Sequence, residues 1–353
     1  MENLIRTKPI IKLRKLGNYY KAFFDSSKAL TLRDLDENVI WKEEVVPELL
    51  DISITKKCNF KCPYCYQSAG EGMHMTMEDF EWLLDFMGED KPFQVALGGG
   101  EVICNPWFKE MLKKWYENGV VPNYTTNGYT LLDEDAVKAT IKYCGGVALT
   151  YHWHDLSLFK QALEVLTKLP IQRNIHLIVG KPHVNKLESV IEELKDKVDA
   201  IVLLEFHDIG RGNQFKDWKL SREDKDHIKK LLLKYGKQGK LAVGASLIPL
   251  AIETVVEDGA DKTFVEQFYY NPESLLTGYV NEQLQLAPSS FWTGEKIDLK
   301  QFKSFREAYN SPLMKELRKK QYELRKICDY AYICNGGMHA DCCKDCRLKK
   351  ALV

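Results

Sequence analysis

From Asp51 onward, short β-branched or apolar runs alternate with stretches whose apolar residues recur every three or four positions. The runs begin near Asp51, Gln94, Val120, Gly146, Asn174 and Ala200. After the first, longer interval they recur at 26, 26, 28 and 26 residues, as expected of a βα unit repeated at nearly constant length. Between them the spacing predicts helices over about Thr76–Met87, Pro106–Asn118, Asp133–Tyr143, Leu156–Lys168 and Lys186–Asp196. In the first helix Thr76 stands as N-cap with Asp79 three residues on, and Phe80, Leu83, Leu84 and Met87 share one face. Strands joined by helical crossovers run parallel and are covered by those helices. Six units predict an α/β fold, a (β/α)6 partial TIM barrel, with its site at the C-terminal ends of the strands.

The flanks read differently. Residues 1–50, of mixed polarity and including the run LGNYYKAFF, suggest a small β lead-in too short to fold alone. Past Gly212 come a charged helix over Ser221–Tyr235, a run from Leu241 to Leu250, an acidic link around Glu257–Asp261, a hairpin from Leu275 to Phe291 and a Lys/Arg-rich helix over Ser311–Lys326. The expected division is a lead-in (1–50), a barrel (51–212) and a C-terminal extension (213–353).

Composition narrows the class without naming a partner. With 45% hydrophobic and 28% charged residues, and 50 basic against 50 acidic, the chain is neither disordered nor collagen-like, and has no net field to steer nucleic acid. No apolar run approaches the ~20 residues of a bilayer span, and Met1–Gly17 mixes apolar residues with Lys and Arg, unlike a secretory signal. The expectation is a soluble, cytoplasmic protein that engages neither nucleic acid nor membrane. Ten cysteines in that setting do not suggest disulfides, and eight of them fall in two groups. Cys58, Cys62 and Cys65 form C-x3-C-x2-C, whereas Cys328, Cys334, Cys342, Cys343 and Cys346 crowd the tail. Cys104 and Cys144 stand apart and read as small core residues.

The first group follows directly on the first strand, in DISITKKCNFKCPYCYQ, and so occupies a βα loop on the site face. Three thiolates on an irregular loop can hold three corners of a 4Fe-4S cluster and leave the fourth iron open to a substrate or cosubstrate. The competing readings are unligated core cysteines and a zinc site, which prefers four closed ligands and has only His74 nearby as a fourth.

This loop after a first barrel strand resembles the signature of the radical SAM superfamily. Gly99-Gly100-Glu101 is similar to the family's GGE motif, which implies a hold on the amino group of S-adenosylmethionine, although Val102 replaces the usual Pro. Thr126-Asn127-Gly128 resembles a segment near the cosubstrate, Ile178 and Val179 resemble the segment under the adenine, and Arg211 resembles the arginine of a strand-plus-GR ending. The resemblance implies a 4Fe-4S cluster that passes one electron to bound S-adenosylmethionine, yielding methionine and a 5'-deoxyadenosyl radical that abstracts hydrogen from substrate. It also implies a reducing partner such as flavodoxin or ferredoxin.

Five cysteines in the tail point to a metal or redox role, with a four-cysteine zinc site as the competitor. CDYAYICNGGM resembles the end of the SPASM extension, which holds auxiliary 4Fe-4S clusters, and GYVNEQLQLAPSSF resembles its hairpin without the usual cysteine. Arg325 and Met338 stand where two further cysteines are usual. The resemblance therefore implies one auxiliary cluster, in the outer position, on Cys328, Cys334, Cys346 and one of Cys342 or Cys343. Relatives with such tails modify ribosomally made peptides by crosslinking, epimerisation, thioether formation or oxidation, so a peptide or protein substrate is the first expectation. A sugar, nucleoside or amino acid substrate is the second, and a non-catalytic zinc-stabilised binding protein the third.

Catalytic candidates are few. Tyr151, His152, Trp153 and His154 follow the fourth strand, and if it continues, His152 and His154 share one face as wall or acid–base residues. Glu205 and His207 have the same status at the sixth strand, and Cys104 is a candidate hydrogen donor.

Overall fold

The computed structural model describes residues 10–16, 19–24, 29–32, 45–236, 239–258, 273–326, 328 and 330–334. The alternating runs become parallel strands: β4 (Leu49–Thr55), β5 (Gln94–Gly99), β6 (Val121–Thr126), β7 (Gly146–Thr150), β8 (Gln172–Val179) and β9 (Ala200–Glu205), hydrogen-bonded in sequence order. Between them lie α1 (Met77–Met87), α2 (Phe108–Glu117), α3 (Glu134–Tyr143), α4 (Leu156–Leu166) and α5 (Leu187–Leu194). Helix starts follow side-chain chemistry: Thr76 accepts from the Asp79 amide, Asp133 from Ala136 and Asp155 from Ser157. Ahead of the barrel, β1 (Ile10–Leu16), β2 (Tyr19–Phe24) and β3 (Ala29–Leu32) form an antiparallel sheet of their own.

Strand alternation divides the main sheet into two faces. Ile52, Ile54, Leu97, Leu149, Leu177 and Leu203 point outward and join Phe80, Leu112 and Trp115 in the core beneath the helices. The opposite positions face the lumen and mix small or polar residues (Asp51, Ser53, Gly98, Thr125, Thr150 and His176) with the apolar Ile178, Val202 and Leu204. A closed barrel of eight strands fills its centre with layers of branched apolar side chains. Here β10 and β13 end the row of strands, the barrel stays open, and its lumen is a cleft.

The segments after residue 212 join the same sheet. Helix α6 (Arg222–Tyr235) leads to β10 (Leu241–Val243), parallel to β9, and then to α7 (Ile248–Asp258). The hairpin expected over Leu275–Phe291 forms as β11 (Thr277–Val280) and β12 (Gln285–Ala287), followed by β13 (Ile297–Asp298). Its first strand lies parallel to β4, Thr277 opposite Leu49, so the hairpin borders the lumen. Helices α8 (Phe305–Tyr309) and α9 (Pro312–Arg325) follow, and α10 (Ala331–Cys334) is a single turn. Asn310 donates from Nδ2 to the Val45 carbonyl at 2.9 Å, and Arg318 donates to Asn310 Oδ1 at 2.8 Å, tying the C-terminal helices to the approach to β4.

One buried amide closes the long β4–α1 loop at its base. Asn105 Nδ2 donates to the carbonyls of Ile54 (2.7 Å) and Met75 (3.0 Å), on either side of that loop, while its Oδ1 accepts from the Trp107 amide at 2.9 Å. Asn105→Ala leaves two buried carbonyls without that donor and should lower stability by roughly 2–3 kcal/mol in urea unfolding. Unchanged unfolding would show that the clasp contributes nothing.

Candidate functional site

The three cysteines lie in the loop from residue 56 to residue 76, at the C-terminal end of β4. The loop has little regular structure, so neighbouring segments must satisfy its main-chain polar groups. The amides of Gly100 and Glu101 donate to Thr55 and Lys57 at 2.7 and 3.0 Å. Arg211 donates from its amide to the Cys65 carbonyl (3.0 Å), from Nε to Cys62 (2.9 Å) and from a terminal guanidinium nitrogen to Ala69 (2.6 Å). Arg211 is therefore a clamp on the loop. His74 bonds through Nδ1 to the Thr55 hydroxyl at 2.7 Å.

Gly99 and Gly100 are required by this main-chain approach. Gly99 has φ +108°, and a Cβ there would lie 2.2 Å from the Thr55 carbonyl oxygen; on Gly100 it would lie 2.0 Å from that of Lys57. Gly98, by contrast, borders open space. Glu101 turns inward and is 1% exposed. Its carboxylate accepts from Thr126 Oγ1 (2.5 Å), the Asn127 amide (2.7 Å) and the Thr130 hydroxyl. Burial pushes its pKa up, and these donors pull it back only in part. Asn127, held this way, reaches from Nδ2 to Asn59 Oδ1 at 2.8 Å, with Cys58 Sγ at 3.9 Å. The GGE and TNG segments thus meet on the cysteine loop.

The thiols of Cys58 and Cys62 are desolvated. Burial, then the charges of Cys65 and Cys58, push Cys62 up to about 12; burial also raises Cys58. Cys58 and Cys62 are therefore held as protonated thiols by the loop alone, and a bound cation is what would make them thiolates. Among the described residues, the ligand atoms within 4.8 Å of one another belong to Cys62, His152 and His154, rather than to the three thiols. A single zinc ion draws its ligands closer than that, whereas a cubane spreads its cysteines over separate corners. The donor set fits the cluster.

Beside Cys62 stands a wall of rings. Strand β7 ends at Thr150, so His152 and His154 meet through a turn instead of the continued strand expected from their spacing, with ring centroids 5.7 Å apart. His152 is 2% exposed and packs edge-on against Phe60 of the loop at 5.0 Å. Burial, with His154 adding, lowers its pKa to about 4, so the ring is neutral at pH 7. Tyr64 lies 5.9 Å from His154 and 5.6 Å from Trp218.

The remaining sequence candidates separate. Ile178 faces the lumen, but Val179 is fully buried in the outer core, because adjacent strand residues point to opposite faces. Cys104 is half-buried beside the loop, its thiol toward the Asn59 main chain. Cys144 is buried in the core, as its isolation in the sequence suggested. Glu205 pairs with Lys225 at 3.3 Å, and the His207 ring lies 4.8 Å from Phe291. Cys328 is half-buried and Cys334 buried, whereas Cys342, Cys343, Cys346 and Met338 lie outside the described residues.

Sequence reasoning missed the lumen. The strand DISIT signals it, since Asp51, Ser53 and Thr55 alternate with apolar residues. Ser53 donates to Glu282 at 2.9 Å, and Tyr66 stacks on Phe291 at 4.3 Å and donates to Ser290 at 3.2 Å. The extension therefore supplies one wall of the cleft.

Residues 52–196 match the family model described as the Radical SAM superfamily. Among curated relatives, the probable GTP 3',8-cyclase of Sulfolobus acidocaldarius is 28% identical over 185 residues, 47% of this chain and 58% of its own. The probable GTP 3',8-cyclase of Sulfurisphaera tokodaii is 22% identical over 254 residues, covering 67% and 72% of the two chains. The chain thus spans little more than half the length of the first of these. Among solved structures, Streptococcus suis SuiB bound to its precursor peptide SuiA shares the fold, with a TM-score of 0.65 at 16% identity over 85% of this chain and 74% of that one.

Two outcomes follow from the site's geometry. Glu101→Gln puts an amide among three donors and should cost about 2–3 kcal/mol in urea unfolding, whereas an unchanged midpoint would contradict the network. Burial pushes the Asp51 carboxyl up to about 7, so its contribution is complete below pH ~4 and is lost as pH rises through ~7. Unfolding measured across that window should show Asp51→Asn gaining on the parent as pH rises. The gain is at most about 4 kcal/mol, because water reaches the lumen. A pH-independent difference would refute it.

Proposed function

We propose that the chain is a radical S-adenosylmethionine enzyme acting on a ribosomally made peptide. The observation that carries this reading is the trio Cys58, Cys62 and Cys65, on a loop clasped by Gly100, Glu101 and Arg211 at the mouth of an open barrel. When bound, the cluster and S-adenosylmethionine supply the one-electron cleavage to methionine and a 5'-deoxyadenosyl radical, which takes a hydrogen from substrate.

The chain's own residues bind, orient and enclose. Cys58, Cys62 and Cys65 would hold a 4Fe-4S cluster through three of its irons. Gly99, Gly100, Glu101, Thr126 and Asn127 form the rim toward the cosubstrate's amino acid part, with Glu101 setting the place of Thr126 and Asn127. Ile178 offers an apolar lumen surface to the adenine, and Arg211 acts through the loop it clamps. Tyr64, His152, His154 and Trp218 wall the cleft and keep water from the radical. In the tail, Cys328, Cys334, Cys346 and one of Cys342 or Cys343 would hold one auxiliary 4Fe-4S cluster in a SPASM-like extension, and a flavodoxin or ferredoxin would deliver the electron. Among the described residues no helix is long and apolar enough to cross a membrane.

The peptide reading is supported by the likeness to SuiB, which extends over 85% of this chain. A second reading, a small nucleotide-like substrate, is supported by the names of the curated relatives and by the small polar residues of the lumen. Mass spectrometry after anaerobic turnover separates them: a candidate precursor peptide should change mass, and a nucleotide converted in its place would favour the second.

Replacing Cys58, Cys62 and Cys65 together by Ala should abolish cleavage of S-adenosylmethionine under dithionite and lower iron from about eight to about four per chain. Undiminished cleavage would refute the assignment.

A further inference from the structure

His152 has two buried ring nitrogens, Nδ1 and Nε2, and neither has a hydrogen-bond partner. Buried polar groups are nearly always paired, because an unmet donor or acceptor loses its hydration without return. The Asn127 carbonyl lies near the ring but outside hydrogen-bond geometry. The ring cannot swing to solvent, since it is 2% exposed and packed against Phe60, between the Cys58 and Cys62 of the loop. Its neighbour His154 is exposed and open to water. A ligand atom of His152 lies within 4.8 Å of Cys62 Sγ, on a cysteine that the proposed function assigns to iron.

We propose that a ring N–H of His152 donates a hydrogen bond to sulfur at the Cys62 corner of the cluster, either the cysteine's own or an adjacent inorganic sulfide, and thereby raises its reduction potential. The inference rests on the reading of Cys58, Cys62 and Cys65 as cluster ligands. Reduction adds one electron from an external reductant, with no bond made or broken and the proton remaining on the imidazole. Each electron added puts more negative charge on sulfur, which strengthens an N–H donor's hold and favours the reduced form. His152 is thus a positioning and tuning residue, not an iron ligand.

The test uses the full chain, anaerobically reconstituted, and a redox titration followed by electron paramagnetic resonance without cosubstrate. The signal followed is the one that S-adenosylmethionine alters in a parallel sample. His152→Phe keeps an aromatic filler without a donor, and His152→Gln keeps an N–H. At a fixed potential, His152→Phe should lower the reduced-to-oxidised ratio about tenfold, ~59 mV for one electron, with iron content unchanged. His152→Gln should restore most of it. An unshifted His152→Phe, or equal shifts in both variants, overturns the hydrogen bond. Iron lost from both variants overturns it in favour of ligation. If the parent shows no signal that S-adenosylmethionine alters, the ligand assignment itself fails, and this inference with it.

Discussion

The site depends on a main-chain clasp between the end of β5 and the cysteine loop. A loop able to spread three sulfurs around a cluster cannot also be a helix or a strand, so its amides and carbonyls need partners from elsewhere. The amides of Gly100 and Glu101 meet the loop's first carbonyls at 2.7 and 3.0 Å, a distance no side chain at residue 99 or 100 would permit. Arg211 performs the same office from the far side, with three donors on the carbonyls of Cys62, Cys65 and Ala69. The sulfurs are thereby held between the second and sixth strands of the barrel.

Glu101 extends that clasp sideways. Its carboxylate gathers a hydroxyl and an amide from the end of β6 and a further hydroxyl from Thr130. Charge-assisted bonds of this kind are strong enough to keep a buried carboxylate in place where burial alone would favour its protonation. Asn127, fixed by Glu101, then reaches back to Asn59 inside the loop. Two strand ends, the turn that carries Thr130 and, through Asn127, the cysteine loop therefore meet around a single buried carboxylate.

Opening the barrel changes what its centre is for. A closed ring of eight strands spends its inward side chains on packing. Here the row ends in β10 and β13, and several inward positions, Asp51, Gly98, Thr125, Thr150 and His176 among them, stay small or polar and partly exposed. β11, paired with β4, brings Glu282 and the Ser290–Phe291 segment against Ser53 and Tyr66. The extension is thus part of the cleft that would receive a substrate.

Much of this was legible in the chain. The βα period marked all six barrel strands, helix starts followed Thr76 and Asp133, and the cysteine spacing pointed to the loop, because each is a local property carried by neighbouring residues. What remained illegible was the partner of each side chain. Arg211 meets Cys62 across 149 residues, Glu101 meets Thr126 across 25, and Val179 turns away from the lumen that Ile178 faces. By itself the sequence determined the repeat, the order of the motifs and the chemistry of the thiols. Only the tertiary structure decided that Glu101 faces inward, that His152 stands unpartnered beside Cys62 and that the extension walls the cleft, since those follow from which distant segments the sheet brings together.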